Sequence, residues 1–176
     1  LAVYTGSAVG SLSLVASNDD IVAGSVVQSR VTFNATAGTL YRIAVDGFNG
    51  VSGSLILTLN QTVANDNFAQ TIYTGGVGGS ISGSSLGATK ETGEPNHAGN
   101  AGGSSIWYYW TAPIGGTVTF NTVGSTFNTL LAAYTGNAVN ALTPIASNDD
   151  ISPGVNTQSS ISFNVTGLTA YRIAID

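Results

Sequence analysis

One stretch of this sequence occurs twice, and the repetition limits the possible folds more than any other feature. LAVYTGSAVGSLSLVASNDDI, from Leu1, aligns with LAAYTGNAVNALTPIASNDDI, from Leu131. The match runs without a gap through QSRVTFNATAGTLYRIAVD, ending at Asp46, against QSSISFNVTGLTAYRIAID, ending at Asp176. The offset is 130 residues throughout. Solenoid repeats are much shorter, roughly 20–45 residues, whereas this period suits one globular domain. The chain therefore reads as two modules. Residues 1–63 are the C-terminal half of the first, and 64–176 are a second that lacks its last strand. The polar run TVANDNFAQ (62–70) marks the boundary. On this reading both ends cut through a domain, as in an excerpt from a longer tandem array.

Within each module the hydrophobic period is two, the signature of strands half-buried on one face. Val31, Phe33 and Ala35 share a face. So do Tyr41, Ile43 and Val45, with Arg42 and Asp46 outward; Leu55, Leu57 and Leu59 form another set, and Val118 and Phe120 another. SIWYYWTA (105–112) is apolar on both faces, as a central strand is. Short strands separated by Gly-, Asn- and Pro-containing turns predict an all-β, jelly-roll-like antiparallel sandwich of eight or nine strands per full module. No segment has a helical period.

Charge is scarce. Asp, Glu, Lys and Arg make up 7% of the chain, against about a quarter in an average protein. The net charge of -5 argues against a nucleic-acid surface, which needs clustered Lys and Arg. No apolar run approaches the roughly 20 residues that span a bilayer. Cysteine is absent, which removes disulfides and thiolate metal sites. The Ser-, Thr-, Asn- and Gly-rich composition fits a secreted or cell-surface protein.

With so few charges, their positions are informative. Asp19, Asp20 and Asp46 recur as Asp149, Asp150 and Asp176, and the remaining acids are Asp66, Glu91 and Glu94. ETGEPN (91–96) offers two carboxylates and an amide within six residues. Calcium takes 6–8 oxygen ligands, so Glu91, Glu94 and Asn96 are candidate ligands, with Asp66 a further one. The paired aspartates Asp19/Asp20 and Asp149/Asp150 have two readings: cation ligands, or Asx turns in which the side chain bonds nearby backbone N–H groups. Arg42 and Arg172 lie on the same strand face as Asp46 and Asp176, where an exposed ion pair would add about 0–1 kcal/mol.

The motifs NDNFA (65–69), GTVTF (116–120) and YRIAVDGFNGVSGSLILTL (41–59) resemble the bacterial pre-peptidase C-terminal domain. GATKETGEPNHAG, SIWYYWTAP, LAAYTG and ASNDD are similar to tandem repeats in very large secreted proteins of environmental bacteria. The resemblance implies a β-sandwich appended to secreted hydrolases or surface proteins. It also implies calcium binding in some members, with Asp66 and Asn67 at the ligand positions that this sequence matches, and binding of collagen or other polymers in others.

No catalytic constellation is visible. His97 is the only histidine, and EPNHAG carries no zinc or nucleophile motif, so His97 reads as a polar loop residue or a hydrogen-bonding partner. Glu91 and Glu94 sit in one loop rather than across a cleft, unlike a glycosidase pair. The aromatic run Trp107–Trp110 reads as sandwich core, with a sugar- or protein-binding platform as the rival. The sequence thus predicts a non-catalytic structural repeat of an extracellular fibre, matrix or adhesin, stabilised by calcium. Its partners are neighbouring copies in a filament or array. The alternative is a calcium-dependent module of a secreted hydrolase, binding a polysaccharide or a collagen-like polymer.

Overall fold

The computed structural model describes residues 1–36 and 38–176, and the chain divides into two compact units, Leu1–Thr58 and Leu59–Asp176. The first unit holds β1 (Ala2–Thr5), β2 (Ser13–Ser17) and β3 (Arg42–Ala44), antiparallel in the order β2-β1-β3. The second holds β4 (Ile72–Tyr73), β5 (Ile106–Thr111), β6 (Gly116–Asn121), β7 (Leu131–Thr135), β8 (Thr143–Asn148), β9 (Ser160–Val165) and β10 (Ala170–Ile175). These form a five-stranded sheet, β4-β5-β10-β7-β8, and a two-stranded sheet, β6-β9. All pairs are antiparallel except β4–β5. Every helix among the described residues is a three-residue 3-10 turn. The protein is all-β and sandwich-like, as the period of two predicts.

The two sheets of the second unit pack face to face. Tyr108 and Trp110 of β5 pair in register with Ile173 and Tyr171 of β10, and all four point at the small sheet. Ile161 and Val165 of β9 meet them there, with Val118 and Phe120 of β6 at the margin. The ring of Trp110 stands edge-on to Phe120 at 5.6 Å. Alternation sends Trp107, Ala132, Tyr134 and Ala174 to the opposite face, where Phe68 joins them. β5 is thus buried on both sides and lies between β4 and β10, as its two-faced apolar run predicts. Trp107 is wholly buried and Trp110 nearly so.

The β1–β2 hairpin is built like β7–β8. Ala2↔Ser17 recurs as Ala132↔Ser147, and both ladders break register before the tyrosine, at Val3/Tyr4 and Ala133/Tyr134. Gly6 and Gly136 follow, with φ of 120° and 128°, where an added Cβ would lie 2.9 Å from a backbone carbonyl oxygen in each copy. The phenols of Tyr41 and Tyr171 each accept the N–H five residues upstream, from Thr36 and Thr166, at 3.0 Å.

Two stretches depart from the expected strands. Val31–Ala35 has no strand, although its counterpart, residues 161–165, lies in β9; β9 is paired with β6, and residues 1–63 contain no counterpart of β6. Residues 53–60 also form no strand and are exposed, Leu55 at 63%, Leu57 at 50% and Leu59 at 78%. The first unit therefore has three strands. An alternating pattern specifies which face is apolar, but a strand needs a neighbour to bond its backbone.

Because Trp110 fills the space between the sheets, Trp110→Ala should lower stability by about 3–5 kcal/mol, the usual cost of a large cavity in a core. Chemical denaturation followed by circular dichroism checks this.

Candidate functional site

The outer face of the five-stranded sheet is covered by irregular chain: residues 62–70 and the loop 86–104. Covering an apolar face with loop is demanding, because its backbone polar groups lose water and need partners. The acidic residues supply them. The Asp66 carboxylate accepts the Thr89 N–H at 2.6 Å and the Thr89 hydroxyl at 3.1 and 3.2 Å. Reciprocally, Glu91 Oε2 accepts the Phe68 N–H at 2.5 Å. These two bonds clamp the segments together. Asn65 extends the clamp to the sheet, its carbonyl accepting the Trp107 N–H at 2.8 Å and its amide donating to the Trp107 carbonyl at 3.1 Å.

At the centre lies a buried chain of three side chains. His97 Nε2 is 2.8 Å from Glu94 Oε1, and His97 Nδ1 is 2.7 Å from the Tyr134 hydroxyl. His97 is fully buried, edge-on to Trp107 at 5.4 Å and to Tyr134 at 5.7 Å. Glu94 Oε2 turns back to accept the Glu91 N–H at 2.9 Å. Burial pushes the Glu94 pKa up, but hydrogen bonds from His97, Ser105 and the Glu91 backbone, with the attraction of His97, outweigh it and hold the carboxyl below its ordinary value. Burial, reinforced by the Glu94 charge, pushes the Tyr134 phenol up to about 12. An ionised Glu94 only accepts, so His97 Nε2–H donates to it. In a neutral imidazole Nδ1 then accepts the Tyr134 O–H. The turn after the histidine is tight. Ala98 and Gly99 have φ of 49° and 82°, and the Asn100 N–H returns to the His97 carbonyl at 2.8 Å. Two successive positive φ values suit a type I′ turn, and a non-glycine residue there is strained.

The far end of the loop is tied by Asp176, whose carboxylate accepts the N–H groups of Gly103 and Ser104 at 2.9–3.0 Å. Any Cβ at Gly102, φ 57°, would run into that carboxylate. Asp176 is therefore not the partner of Arg172. The Arg172 guanidinium lies between the rings of Phe68 and Tyr109, 5.1 and 5.3 Å from their centroids, and is half-buried. Its Nε donates to the Gly136 carbonyl at 3.4 Å, as Arg42 Nε in the first unit donates to the Gly6 carbonyl at 2.7 Å.

The expected calcium ligands Asp66, Glu91, Glu94 and Asn96 share this loop layer, but each faces a different donor; Asn96 accepts from Lys90 at 2.8 Å. Among the described residues no three His, Cys, Asp or Glu side chains converge as a metal ion requires. In the ASNDDI turns the asparagine does the main work. Asn18 donates to the Asp20 carbonyl at 2.9 Å and accepts the Arg30 N–H at 2.9 Å. Asn148 repeats this with the Asp150 carbonyl at 3.0 Å and the Ser160 N–H at 2.9 Å. The Asp19 and Asp149 carbonyls accept from Ser29 and Ser159 at 2.5 and 2.6 Å. Asp20 holds the Gly24 N–H at 2.9 Å and Asp149 the Asn100 amide at 2.7 Å, while one buried oxygen of Asp150 has no partner.

Of the aromatic run, Trp107, Tyr108 and Trp110 are core; Tyr109 is half-exposed and packs on the exposed Tyr73 at 4.9 Å. Tyr134 and Thr89 are the working residues that the sequence does not announce. No protein-family model, curated protein or solved structure matches the chain.

His97→Ala would leave the Glu94 carboxylate and the Tyr134 hydroxyl buried without a partner. The expected loss is about 3–5 kcal/mol, measured by denaturant unfolding. The folded pKa of Glu94 is depressed, so its contribution is complete above the ordinary carboxylate value of 4.5 and fades as pH falls through the folded value. Acid titration of the melting temperature should therefore show a drop below about pH 4.5 that Glu94→Gln reduces.

Proposed function

We propose that the chain is a non-catalytic structural repeat of a secreted or cell-surface protein, in which jelly-roll modules recur every 130 residues as a fibre, matrix or adhesin. The observation that carries this reading is how the acids are used. Seven of the nine acidic residues accept hydrogen bonds from the chain itself at their carboxylates: Asp20, Asp46, Asp66, Glu91, Glu94, Asp149 and Asp176. The other two, Asp19 and Asp150, accept at their backbone carbonyls, from the Ser29 hydroxyl and the Asn148 amide. A module that spends its scarce charges on fastening loops is organised for shape. The doubled hairpin, with the same latch in each copy, supports the same reading.

The buried Glu94–His97–Tyr134 chain has the residue types of a proton relay but not the setting. Two surface hollows, of about 390 and 170 Å³, are lined by other residues.

Antibodies against the chain should label intact cells of the source organism, and labelling confined to permeabilised cells would refute the extracellular assignment. Melting should be equal in EDTA and in millimolar calcium, because the loop carboxylates are already held by N–H and O–H donors. A ligand that binds only the native state raises stability by RT ln(1 + [L]/Kd), so a calcium-dependent rise would reassign those carboxylates to a cation.

A further inference from the structure

We infer that Tyr73, Tyr109 and Arg172 form a binding site for an acidic polysaccharide, in which the Arg172 guanidinium takes a sugar carboxylate. The three residues stand in register across neighbouring strands: Tyr73 of β4 is opposite Tyr109 of β5, and Tyr109 is opposite Arg172 of β10. They share the outer face of the five-stranded sheet, at an end that the covering loops leave open. Tyr73 is 52% exposed there, and Tyr109 and Arg172 are half-buried. The rings of Tyr73 and Tyr109 pack at 4.9 Å, and the guanidinium lies 5.3 Å from the Tyr109 centroid, so the row is one continuous stack. Phe68, 5.1 Å from the guanidinium on its other side, closes that end of the row.

The chain leaves the polar groups of this row unused. His97–Glu94 is the only ion pair among the described residues, so Arg172 has no carboxylate of the chain against it. Two of its five N–H donors are engaged, both at long range: Nε with the Gly136 carbonyl at 3.4 Å and Nη1 with the Thr71 hydroxyl at 3.5 Å. Nη2 and the phenol hydroxyls of Tyr73 and Tyr109 make no hydrogen bond to any described residue. The only buried side-chain atoms without a partner among the described residues belong to Trp107 and Asp150, so these three groups reach water. A guanidinium held between rings is fixed in orientation, with its edge left to receive a carboxylate through two parallel N–H bonds. The occupant therefore carries a carboxylate. It also carries hydroxyls, to meet two phenols in the same row, and C–H surface to lie against the rings. Neighbouring strands stand about 4.8 Å apart, so contacts along the row recur at close to the length of one sugar ring. A chain of uronic acids combines all of these features, whereas an acidic peptide supplies the carboxylate without the hydroxyls. In a protein of net charge -5, the choice of an anion is made locally, because the acids of the loop layer are engaged by their own donors.

The inference goes beyond the structural reading and does not depend on it, since the row lies within one unit and needs neither a repeat nor a cell surface. The test is a nuclear magnetic resonance titration of the full chain with tetramers of galacturonic, glucuronic and mannuronic acid. The methyl ester of the best tetramer and a glutamate-rich peptide of equal charge serve as rivals. At least one acid should give saturable shifts confined to Tyr73, Tyr109, the Arg172 Nε–H and their neighbours, unchanged by EDTA and weakened by salt. Its methyl ester, the same sugar without charge, should bind about tenfold more weakly. Tyr73→Ala should cost about tenfold in affinity with no change in melting temperature, because the ring is exposed and outside both cores. Arg172→Gln should remove the preference for acid over ester, and Arg172→Lys should restore part of it, since lysine keeps the charge but not the fork. No saturable shift from any of the three acids up to about 10 mM, equal affinity for acid and ester, or tighter binding of the peptide would each overturn the inference. So would a Tyr73→Ala protein that melts normally and binds as well as the unaltered chain.

Discussion

Everything in the second unit follows from a sheet that is apolar on both faces, with no long helix among the described residues to cover it. β5, β7 and β10 bury apolar side chains on both sides, so each side needs a lid. One lid is the two-stranded sheet, which satisfies its own backbone as it covers. The other is irregular chain, which does not. Loops normally stay at the surface because a buried backbone polar group without a partner costs roughly 1–3 kcal/mol. Asp66, Glu91, Glu94 and Asp176 are the answer to that cost. A carboxylate accepts several bonds and holds them more strongly than a neutral acceptor does, so a few acids fix a long loop.

Trp107 shows how far packing outweighs an imperfect polar ledger. Its indole N–H is buried with no acceptor. A bond left unmade costs about 1–3 kcal/mol. Burying an indole removes about 150–250 Å² from water, worth about 4–6 kcal/mol at 25 cal/mol per Å². Contacts with Phe68 at 5.2 Å, His97 at 5.4 Å and Tyr134 at 6.0 Å come in addition. The net favours burial. It also explains why the loop is anchored at His97, since the imidazole closes over the ring that most needs covering.

Comparison of the two copies separates what sequence decides from what neighbours decide. Ile43 and Ile173 are equivalent, yet one is 44% exposed and the other 3%. β10 runs six residues between β5 and β7, whereas β3 runs three beside β1 alone. The all-β class and the central position of β5 were legible because they depend on alternation. The absent strands at 31–35 and 53–60 were not, because a strand is a property of a pair. At the loop the acids were legible as important by their scarcity. Their roles were not, because Thr89, Phe68 and Tyr134 reach them only through the fold. For His97 the sequence left a polar loop residue and a hydrogen-bonding partner both open, and a lone histidine among glycines and asparagines gives no sign of complete burial.

The same comparison explains why the repeated turn reads ASNDDI. Between the copies, the asparagine makes the same two bonds, one to the carbonyl two residues on and one to the N–H twelve residues on. The second aspartate does not behave alike in the two. Asp20 caps the Gly24 N–H, but an oxygen of Asp150 stays buried and unbonded. What the turn requires is therefore an amide, with a donor and an acceptor on one short side chain, able to bridge both arms of the excursion that leaves β2 or β8. Serine at 29 and 159 then bonds the carbonyl of the first aspartate, so that position contributes backbone rather than charge. The carboxylate of Asp149 acquires its use only where the loop 86–104 is present to bring Asn100 within 2.7 Å.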